Sequence, residues 1–460
     1  MSRPNEPYAL TIAEAGRALR DGSLTSVALT ESVIARTEAT EPSLNAFITR
    51  TDDLAREQAA AADAELQAGR DRGPLHGIPF ALKDLYDTAG IATTGGSGFL
   101  RDRVPEADGF AVRRLKQAGM VLQGKLGLHE FAFGTTSNNP HFGAVHNPWN
   151  VEHSPGGSSG GSGAAISAGS TLGTLGSDTG GSIRMPASLC GCVGLMPTYG
   201  RVSRAGVLPL SWTLDHVGPL SRTVEDAALV LNAIAGFDPD DPGCADVGVD
   251  DYTSQLGQDL RGMRVGVPRE PMWVDLQPDV EAACEAALEV LRELGATVQD
   301  VEMPLLRDAG RSSILAAEAA SYHADWISAH PEKYGDDVRA AIGLGRGVPA
   351  TQYINDQRER RRLIDETREV LRSVDVLVSA STPITSPRID AGDPGYQLAR
   401  LTSPYDITGI PAISVPCGLD GNGLPIGLMI GGRHFDEVTV CRVAHAYEQA
   451  FGFDGSAVLA

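Results

Sequence analysis

Apolar positions along this chain follow two alternating patterns. From the capping-box sequence Thr11-Ile-Ala-Glu14 the spacing predicts a helix, and further helices are predicted over 25–40 and 53–69. After His76 the apolar residues form short runs between Gly and Pro, at 77–82 and 120–123, with a helix predicted over 110–118. Strands that alternate with helices favour a sheet covered on both faces, so the pattern predicts an α/β fold.

The second half of the chain repeats this alternation. Its pattern predicts helices over 223–236, 279–294, 310–373 and 436–450, and strands over 263–267, 297–302, 374–378, 411–415 and 424–428. The loop 238–251, rich in Asp, Pro and Gly, is the best candidate for a domain boundary. Because strands are predicted on both sides of it, we expect one sheet and a single domain over 1–460, with the helical segment 1–75 packed on it.

The stretch 155–187 holds two glycine clusters, and each cluster carries serine. The first is 156–162 and the second is 178–182, and the small residues of 163–169 between them predict a buried helix. Glycine lets the main chain come close to a ligand, so the two loops predict a rigid cradle around one point. A flexible Gly/Ser linker is the alternative, but the apolar run at 164–168 is not typical of linkers.

Charge and composition narrow the expected partners. The formal net charge is −21 and no basic tract offsets it, which argues against nucleic acid and anionic membranes. The N-terminus lacks a signal pattern, and no apolar run approaches the length of about 18 residues that a membrane span needs. The six cysteines show no metal spacing. We therefore expect free thiols, no metal site and a cytoplasmic protein.

Lys83 is the candidate general base. It follows the apolar run 78–82 at the end of a predicted buried strand. An ordinary lysine pKa of about 10.4 is too high for a base at neutral pH, but burial lowers it. A snorkelling lysine or an ion pair with Asp84 is an equally open interpretation of the residue itself. The nearby serine loops favour the base, because Ser-Lys pairs replace Ser-His-Asp in some hydrolases.

Ser182 is the candidate nucleophile. It follows two glycines and is predicted to open a helix over 183–189, so free N–H groups would surround its Oγ as in an oxyanion hole. Ser158 would then lie between lysine and nucleophile as a proton relay. A plain helix N-cap is the alternative role for Ser182. A nucleophile elbow at 157–161 is disfavoured, because that motif needs an apolar strand directly before it.

These residues resemble the amidase signature family, which includes amidases, fatty-acid amide hydrolases and the A subunits of glutamyl-tRNA amidotransferases. The similarity covers nearly the whole chain through motifs at 77–84, 156–163, 176–184, 194–203, 408–416, 423–427 and 435–437. It implies the amidase signature fold, in which one large central mixed sheet is flanked on both faces by helices. No cofactor is implied.

The resemblance also implies the roles of individual residues. Lys83, Ser158 and Ser182 would form a Ser-cisSer-Lys triad, with a cis peptide bond before Ser158. The N–H groups expected to hold the oxyanion are those of Thr179, Gly180, Gly181 and Ser182. Supporting positions around the triad are expected at Ser159, Asp178 and Arg184. The substrate pocket is expected from the helical region 310–373 together with Phe131, Phe133, Gly134, Thr135 and Thr136.

The implied activity is hydrolysis of a C–N bond in a small-molecule amide or a related acyl compound such as a carbamate, which makes the chain a urethanase candidate. The alternative is an A-type subunit of a glutamyl/aspartyl-tRNA amidotransferase that releases ammonia from glutamine. Such subunits usually carry Gln at the position of Met185 and Asp at that of Ala399, and the segment 338–353 lacks their Tyr-rich sequence. These departures favour a stand-alone hydrolase, with a homodimer left open. Nothing in the sequence explains Met196, where many relatives have Lys.

Overall fold

The chain folds around one large mixed sheet. The computed structural model describes residues 6–306 and 313–459, so the predictions for 1–5, 310–312 and 460 lie outside the described residues. Eleven strands form the sheet in the order β1-β3-β2-β6-β8-β7-β12-β13-β11-β9-β10, and β4 pairs with β5 in a small separate hairpin. The strands are β1 (Phe47–Arg50), β2 (Pro79–Lys83), β3 (Val121–Leu126), β4 (Asn138–Asn139), β5 (Gly143–Ala144), β6 (Gly173–Asp178), β7 (Val193–Met196), β8 (His216–Ser221), β9 (Arg264–Val267), β10 (Thr297–Asp300), β11 (Val376–Ala380), β12 (Ala412–Leu419) and β13 (Pro425–Gly432).

Helices pack against this sheet and bury their apolar sides on it. Helices α5 and α6 contact the central strands, while α16 contacts both α7 and α9, and each of these three helices packs on strands of the same sheet. The helices are α1 (Ile12–Asp21), α2 (Ser26–Leu44), α3 (Asp52–Gln67), α4 (Phe110–Gln117), α5 (Gly160–Ala168), α6 (Arg184–Cys190), α7 (Val224–Ile234), α8 (Arg269–Met272), α9 (Pro278–Glu293), α10 (Ile314–Tyr322), α11 (Ala324–Ala329), α12 (Asp336–Arg346), α13 (Ala350–Ser373), α14 (Tyr396–Ala399), α15 (Ser403–Thr408), α16 (Glu437–Phe451) and α17 (Ser456–Leu459). The predicted α/β architecture with a helix-flanked central sheet is confirmed.

The loop 238–251 does not divide the sheet. Strands before it, such as β8, and strands after it, such as β9, belong to the same eleven-stranded sheet. The N-terminal helices also join the main core, since Ile12, Leu29 and Val33 are fully buried in the same cluster as the sheet residues. Within residues 6–306 and 313–459, no helix has the length and apolar character needed to cross a bilayer.

The parallel pairing of β2 with β6 determines where the candidate catalytic residues lie. Leu82 lies opposite Leu175 in this register, so the carboxyl ends of the two strands reach the same edge of the sheet. Lys83 ends β2, and Asp178 ends β6 directly before the second glycine loop. The fold thus brings the candidate base next to the loop that carries Ser182.

Strand β6 is one of the elements that the apolar pattern did not predict. Its Gly173 and Gly176 are poor strand formers, yet both are required by close packing. A Cβ on Gly173 would lie 2.5 Å from the Phe80 ring, and one on Gly176 would lie 2.8 Å from Leu220 Cδ1. The strand is buried along its whole length, so small residues replace the usual β-branched ones.

Candidate active site

Lys83 is fully buried at the end of β2 and faces three serine hydroxyls. Its Nζ lies 2.7 Å from Ser158 Oγ, 2.9 Å from Ser159 Oγ and 2.9 Å from Ser177 Oγ. Burial lowers the pKa of Lys83 to about 7, against a smaller opposing effect of the Asp178 and Asp215 carboxylates. A lysine in this setting can give up its proton near neutral pH.

The alternative role of Lys83 as an ion-pair partner of Asp84 is not what the structure shows. Asp84 instead pairs with the second fully buried lysine, Lys125, whose Nζ lies 3.0 Å from Asp84 Oδ1. Lys125 also donates to the Tyr86 carbonyl and to Thr93 Oγ1. The two buried lysines therefore have different surroundings, and only Lys83 faces the serine loops.

The first glycine loop holds Ser158 in a fixed backbone position. The peptide bond between Gly157 and Ser158 is cis, and the Ser158 carbonyl accepts hydrogen bonds from His129 N at 3.1 Å and Ser137 Oγ at 3.2 Å. A Cβ on Gly157 would lie 2.7 Å from the backbone of Thr135 and Thr136, so no side chain fits there. The loop is consequently packed against the main chain of 135–137.

Ser182 lies in the turn between β6 and α6. The helix begins at Arg184 with Ile183 at the N-cap, so Ser182 does not fill the alternative role of a plain N-cap. Ser159 N donates to the Ser182 carbonyl at 3.2 Å, which joins the two glycine loops directly. Gly181 has a φ of 128°, and a Cβ there would lie 2.1 Å from Thr402 Oγ1, so this position requires glycine.

The amides of the second loop do not all point the same way. Gly181 N donates to Asp178 Oδ1, so its expected part in an oxyanion hole is corrected: this N–H already has a carboxylate partner. The Gly180 carbonyl accepts from Thr402 Oγ1 at 2.7 Å, and Thr179 Oγ1 donates to Asp215 Oδ1 at 2.7 Å. These contacts fix the loop from both sides and leave the N–H groups of Thr179, Gly180 and Ser182 as the candidates for oxyanion binding.

A buried charge network lies beneath this loop. Arg184 Nε is 2.9 Å from Asp178 Oδ2, and Arg184 Nη2 is 2.6 Å from Asp406 Oδ2, with all three side chains fully buried. Burial raises the pKa of Asp178, but Arg184 outweighs it and holds that pKa well below its ordinary value. Burial and the neighbouring Asp178 charge together raise the pKa of Asp406 well above its ordinary value. One guanidinium is thus shared by two carboxyl groups whose pKa values are shifted in opposite directions.

Asp215 is a supporting residue that the sequence analysis missed, together with Ser177 and Asp406. Its carboxylate accepts from Thr179 Oγ1, from Leu210 N at 2.8 Å and from Ser211 N at 3.0 Å. Burial raises the pKa of Asp215 to about 6. The only signal in the sequence was its position directly before the buried strand β8, which by itself does not indicate what it contacts.

A cavity of about 420 Å³ opens beside Ser182. Most of its wall is apolar, and two carboxylates and two aromatic rings also line it. The lining residues are Ala132, Phe133, Gly134, Thr135, Thr179, Gly180, Ser182, Met185, Leu210, Leu214, Leu315, Ala316, Asp337, Ala341, Leu344, Asp393, Gly395, Tyr396, Ala399, Ser403 and Ile407. Five of them come from the described part of the helical region 310–373.

The expected pocket segment 131–136 contributes only in part. Phe133, Gly134 and Thr135 line the cavity, whereas Phe131 and Thr136 do not. Phe131 has a φ of 50°, and its ring packs 4.5 Å from that of His323, inside the aromatic cluster beneath the pocket. Thr136 is buried, and its Oγ1 accepts from Asn138 N at 3.3 Å. The positive-φ turn at 131–132 therefore places the Phe131 ring in this cluster and not in the cavity wall.

The donor atoms near Ser182 do not form a metal centre. Among the residues that the structure describes, no three His, Cys, Asp or Glu side chains come together in a way that could hold a metal ion. The polar groups near Ser182 are hydroxyls, backbone amides and the carboxylates described above. Their chemistry is that of proton transfer and anion stabilisation.

Similarity to known proteins extends over almost the full chain. The sequence model of the Amidase family matches residues 28–441. The A-type subunit of a glutamyl-tRNA(Gln) amidotransferase from Roseiflexus sp. (strain RS-1) is 43% identical, with 96% of both chains covered. A chain from an inhibitor-bound structure, described as a vestigial protein complex that reveals the evolutionary origins of an s-triazine catabolic enzyme, has a TM-score of 0.92 at 35% identity over 96% of this chain and 99% of that chain. The peptide amidase of Stenotrophomonas maltophilia has a TM-score of 0.84 at 33% identity over 96% and 97%.

These similarities correct the expectation about partners. The net charge and the sequence departures led us to expect a small-molecule substrate and no nucleic acid, with a homodimer left open. The Roseiflexus relative is instead named as one subunit of a tRNA amidotransferase, and one similar solved structure is described as a protein complex. Net charge sums over the whole surface, so it does not report on a local contact surface or on charges that another protein supplies.

Family membership supports amide C–N hydrolysis as the general activity, and the relatives give no support to carbamates. The family match spans most of the chain, and the Roseiflexus relative is 43% identical over 96% of both chains. The chain belongs to the amidase signature family.

Proposed function

We propose that the chain hydrolyses the C–N bond of an amide through an acyl-enzyme formed on Ser182. The observation that carries this proposal is the buried Lys83 Nζ, 2.7 Å from Ser158 Oγ, next to the loop and cavity that contain Ser182. A base with a lowered pKa, a hydroxyl relay and a nucleophile beside a pocket are the parts that acyl transfer needs.

The reaction begins with proton transfer through the relay. Neutral Lys83 takes the proton of Ser158 while Ser158 takes that of Ser182, and Ser182 Oγ forms a bond to the amide carbonyl carbon. The resulting oxyanion accepts hydrogen bonds from the N–H groups of Thr179, Gly180 and Ser182. The relay then returns the proton to the leaving nitrogen as the C–N bond breaks. Water attacks the acyl-enzyme, releases the acid and regenerates Ser182.

A serine-directed fluorophosphonate tests this proposal. We expect one adduct per native chain by intact mass, located on Ser182 by peptide mapping, and none on the Ser182→Ala variant. Ser162→Ala is the matched control, because Ser162 lies in the same glycine-rich stretch, fully buried in α5, and accounts for no proposed step. An unlabelled native chain that also leaves every amide intact contradicts the proposal.

The pocket favours an amide with an apolar acyl group. Met185 and Ala399 both line the cavity, at the two positions where tRNA-linked subunits usually carry Gln and Asp. Together with Leu210, Leu214 and Ile407 they present an apolar wall, which binds hydrocarbon rather than the polar groups of free glutamine. A panel of alkyl amides, the matching carbamates and glutamine measures this preference directly, and we expect the highest kcat/KM for the apolar amides.

The second candidate function is that of an A-type amidotransferase subunit, which overall sequence similarity favours. The observation behind it is 43% identity to such a protein over 96% of both chains. This function uses the same triad but requires protein partners and tRNA. Purification of the tagged chain from its own source tests it: a stable complex whose glutaminase activity is stimulated by tRNA supports the second candidate and contradicts the apolar-amide preference.

A further inference from the structure

The cavity beside Ser182 is apolar along its walls and acidic at two points. Asp337 comes from α12, and Asp393 comes from the loop before α14. Asp393 accepts from Thr135 N at 3.1 Å and from Gly395 N at 2.7 Å, so it is held at the cavity wall. Asp337 Oδ2 lies 2.9 Å from His129 Nε2, and half of its side-chain surface is exposed.

The charges around the cavity do not cancel. The described lining residues include these two carboxylates and no Lys or Arg. Arg360 lies behind the wall, where its Nε and Nη2 donate to the carbonyls of Ile407 and Thr213, and Glu318 lies beside it. Those two opposite charges offset each other. The sum over the ionisable side chains that line the cavity is therefore negative.

Two aromatic rings on the cavity wall also favour a positively charged ligand. Phe133 and Tyr396 line the cavity along with the carboxylates, and the Tyr396 side chain is exposed at its mouth. Aromatic faces attract ammonium groups through the ring quadrupole, and carboxylates attract them by charge. A carboxylate on the substrate would meet repulsion from both kinds of group. The two rings and the two carboxylates therefore both favour a ligand that carries an ammonium group.

Resting on the proposed acyl transfer, we propose that Asp337 and Asp393 select amides whose apolar acyl arm ends in a positively charged amine, and that they exclude amides ending in a carboxylate. Specificity of this kind combines an attractive contact for one substrate with a repulsive one for its competitor. Because the apolar walls bind the arm of either substrate equally, the charge at its end decides the difference.

Three amides of matched length differ only in the group at the end of the acyl arm. They are ε-aminocaproamide, which is cationic, heptanamide, which is neutral, and adipic acid monoamide, which is anionic. We expect kcat/KM to fall in that order, with about tenfold or more between the cationic and the anionic probe. Their dissociation constants with the Ser182→Ala variant should follow the same order, since binding needs no turnover. Equal values, or an anionic preference, in the binding measurement overturn the inference.

Charge-neutralising variants identify the residues. Asp337→Asn and Asp393→Asn should each lower the cation-to-anion ratio at least about threefold, because each removes one carboxylate from the cavity. Asp336→Asn is the matched control, since Asp336 is the adjacent residue, carries the same charge and has a side chain that is 93% exposed. Equal effects of Asp336→Asn and Asp337→Asn would show that only the overall charge matters and would contradict the assignment.

Failure of the inference is distinguishable from failure of the proposed function. If Ser182 takes no fluorophosphonate and none of the three probes is turned over, acyl transfer is wrong, whatever the order of the binding constants. If all three probes are turned over equally and bind equally, acyl transfer stands and the charge selection is wrong.

Discussion

Lys83 Nζ lies 2.7 Å from Ser158 Oγ inside a fully buried cluster of hydroxyls. Because the base must be neutral to accept a proton and its pKa is about 7, kcat/KM should fall as the pH drops below about 7. Lys83→Met should lower kcat by about 10²- to 10⁴-fold, the usual contribution of a general base, with little loss of stability. The three serine hydroxyls left behind can rearrange to bond one another. Steady-state kinetics and urea unfolding measure the two effects.

Lys125→Met is the control for that prediction. Lys125 is equally buried, but it neutralises the buried Asp84 carboxylate. Removing one partner of a buried pair costs about 3–5 kcal/mol of unfolding free energy, so this variant should lose stability. Where it folds, it should keep the acid limb of its pH profile, which is the fall of kcat/KM below a pH of about 7. A Lys83→Met enzyme that retains kcat within about tenfold would contradict the assigned base.

The charge of Asp215 should affect the pH below which kcat/KM falls. Its negative charge raises the pKa of Lys83, so Asp215→Asn should lower that pKa and move the acid limb toward lower pH. The variant also weakens the hold on Thr179, whose N–H is a proposed oxyanion donor, so kcat should fall at least about tenfold. The pH dependence of kcat/KM measures the first effect, and kcat on the plateau measures the second.

Asp226→Asn is the matched control for Asp215→Asn. Asp226 is also fully buried with its pKa raised to about 6 by burial, but it accepts from Ala13 N at the start of α1. Its replacement should change stability and leave the acid limb in place. An unchanged limb in Asp215→Asn, or an equal shift in both variants, would count against a positioning role for Asp215.

Candidate site residues were easier to name from the sequence than the strands that position them. Lys83, Ser158 and Ser182 could be named because glycine clusters, serines and a lysine after an apolar run are local features of the chain. Asp406 and Ser177 could not, because their contacts with Arg184 and Lys83 exist only after distant segments pack together. No pattern in the sequence indicates which buried serine faces a lysine that lies 94 residues away.

The helices and strands also differed in how well the sequence predicted them. Helices predicted from capping and period, such as α1 and α9, agree with the structure to within a few residues at each end. Strands β6, β7 and β8 were missed, since glycine and polar residues in fully buried strands hide the alternation that identifies a strand. The pocket prediction failed at Phe131 for a related reason: a positive φ turns the ring inward, and sequence does not reveal it.

The two carboxylates that share Arg184 should respond differently to mutation. The Arg184 guanidinium holds the pKa of Asp178 well below its ordinary value, whereas burial and the Asp178 charge raise the pKa of Asp406 well above its own. Because the pKa of Asp406 is raised, its negative charge contributes less, and Asp406→Asn, which keeps the shape of the side chain, should change the unfolding free energy by about 1 kcal/mol or less. Asp178→Asn leaves Arg184 without its charge partner and should cost about 3–5 kcal/mol. Urea unfolding at neutral pH measures both values, and equal losses would mean that Asp406 also carries a charge.

Met185 and Ala399 meet in one apolar cluster on the cavity wall. Restoring the residues usual in tRNA-linked subunits, with Met185→Gln and Ala399→Asp together, adds a hydrogen-bonding amide and a carboxylate to the wall. We expect the ratio of kcat/KM for glutamine to that for heptanamide to rise at least about tenfold, because polar contacts replace apolar ones at two positions. The single variants serve as controls and should each give a smaller rise. A native chain that already prefers glutamine would contradict this account and favour the amidotransferase function.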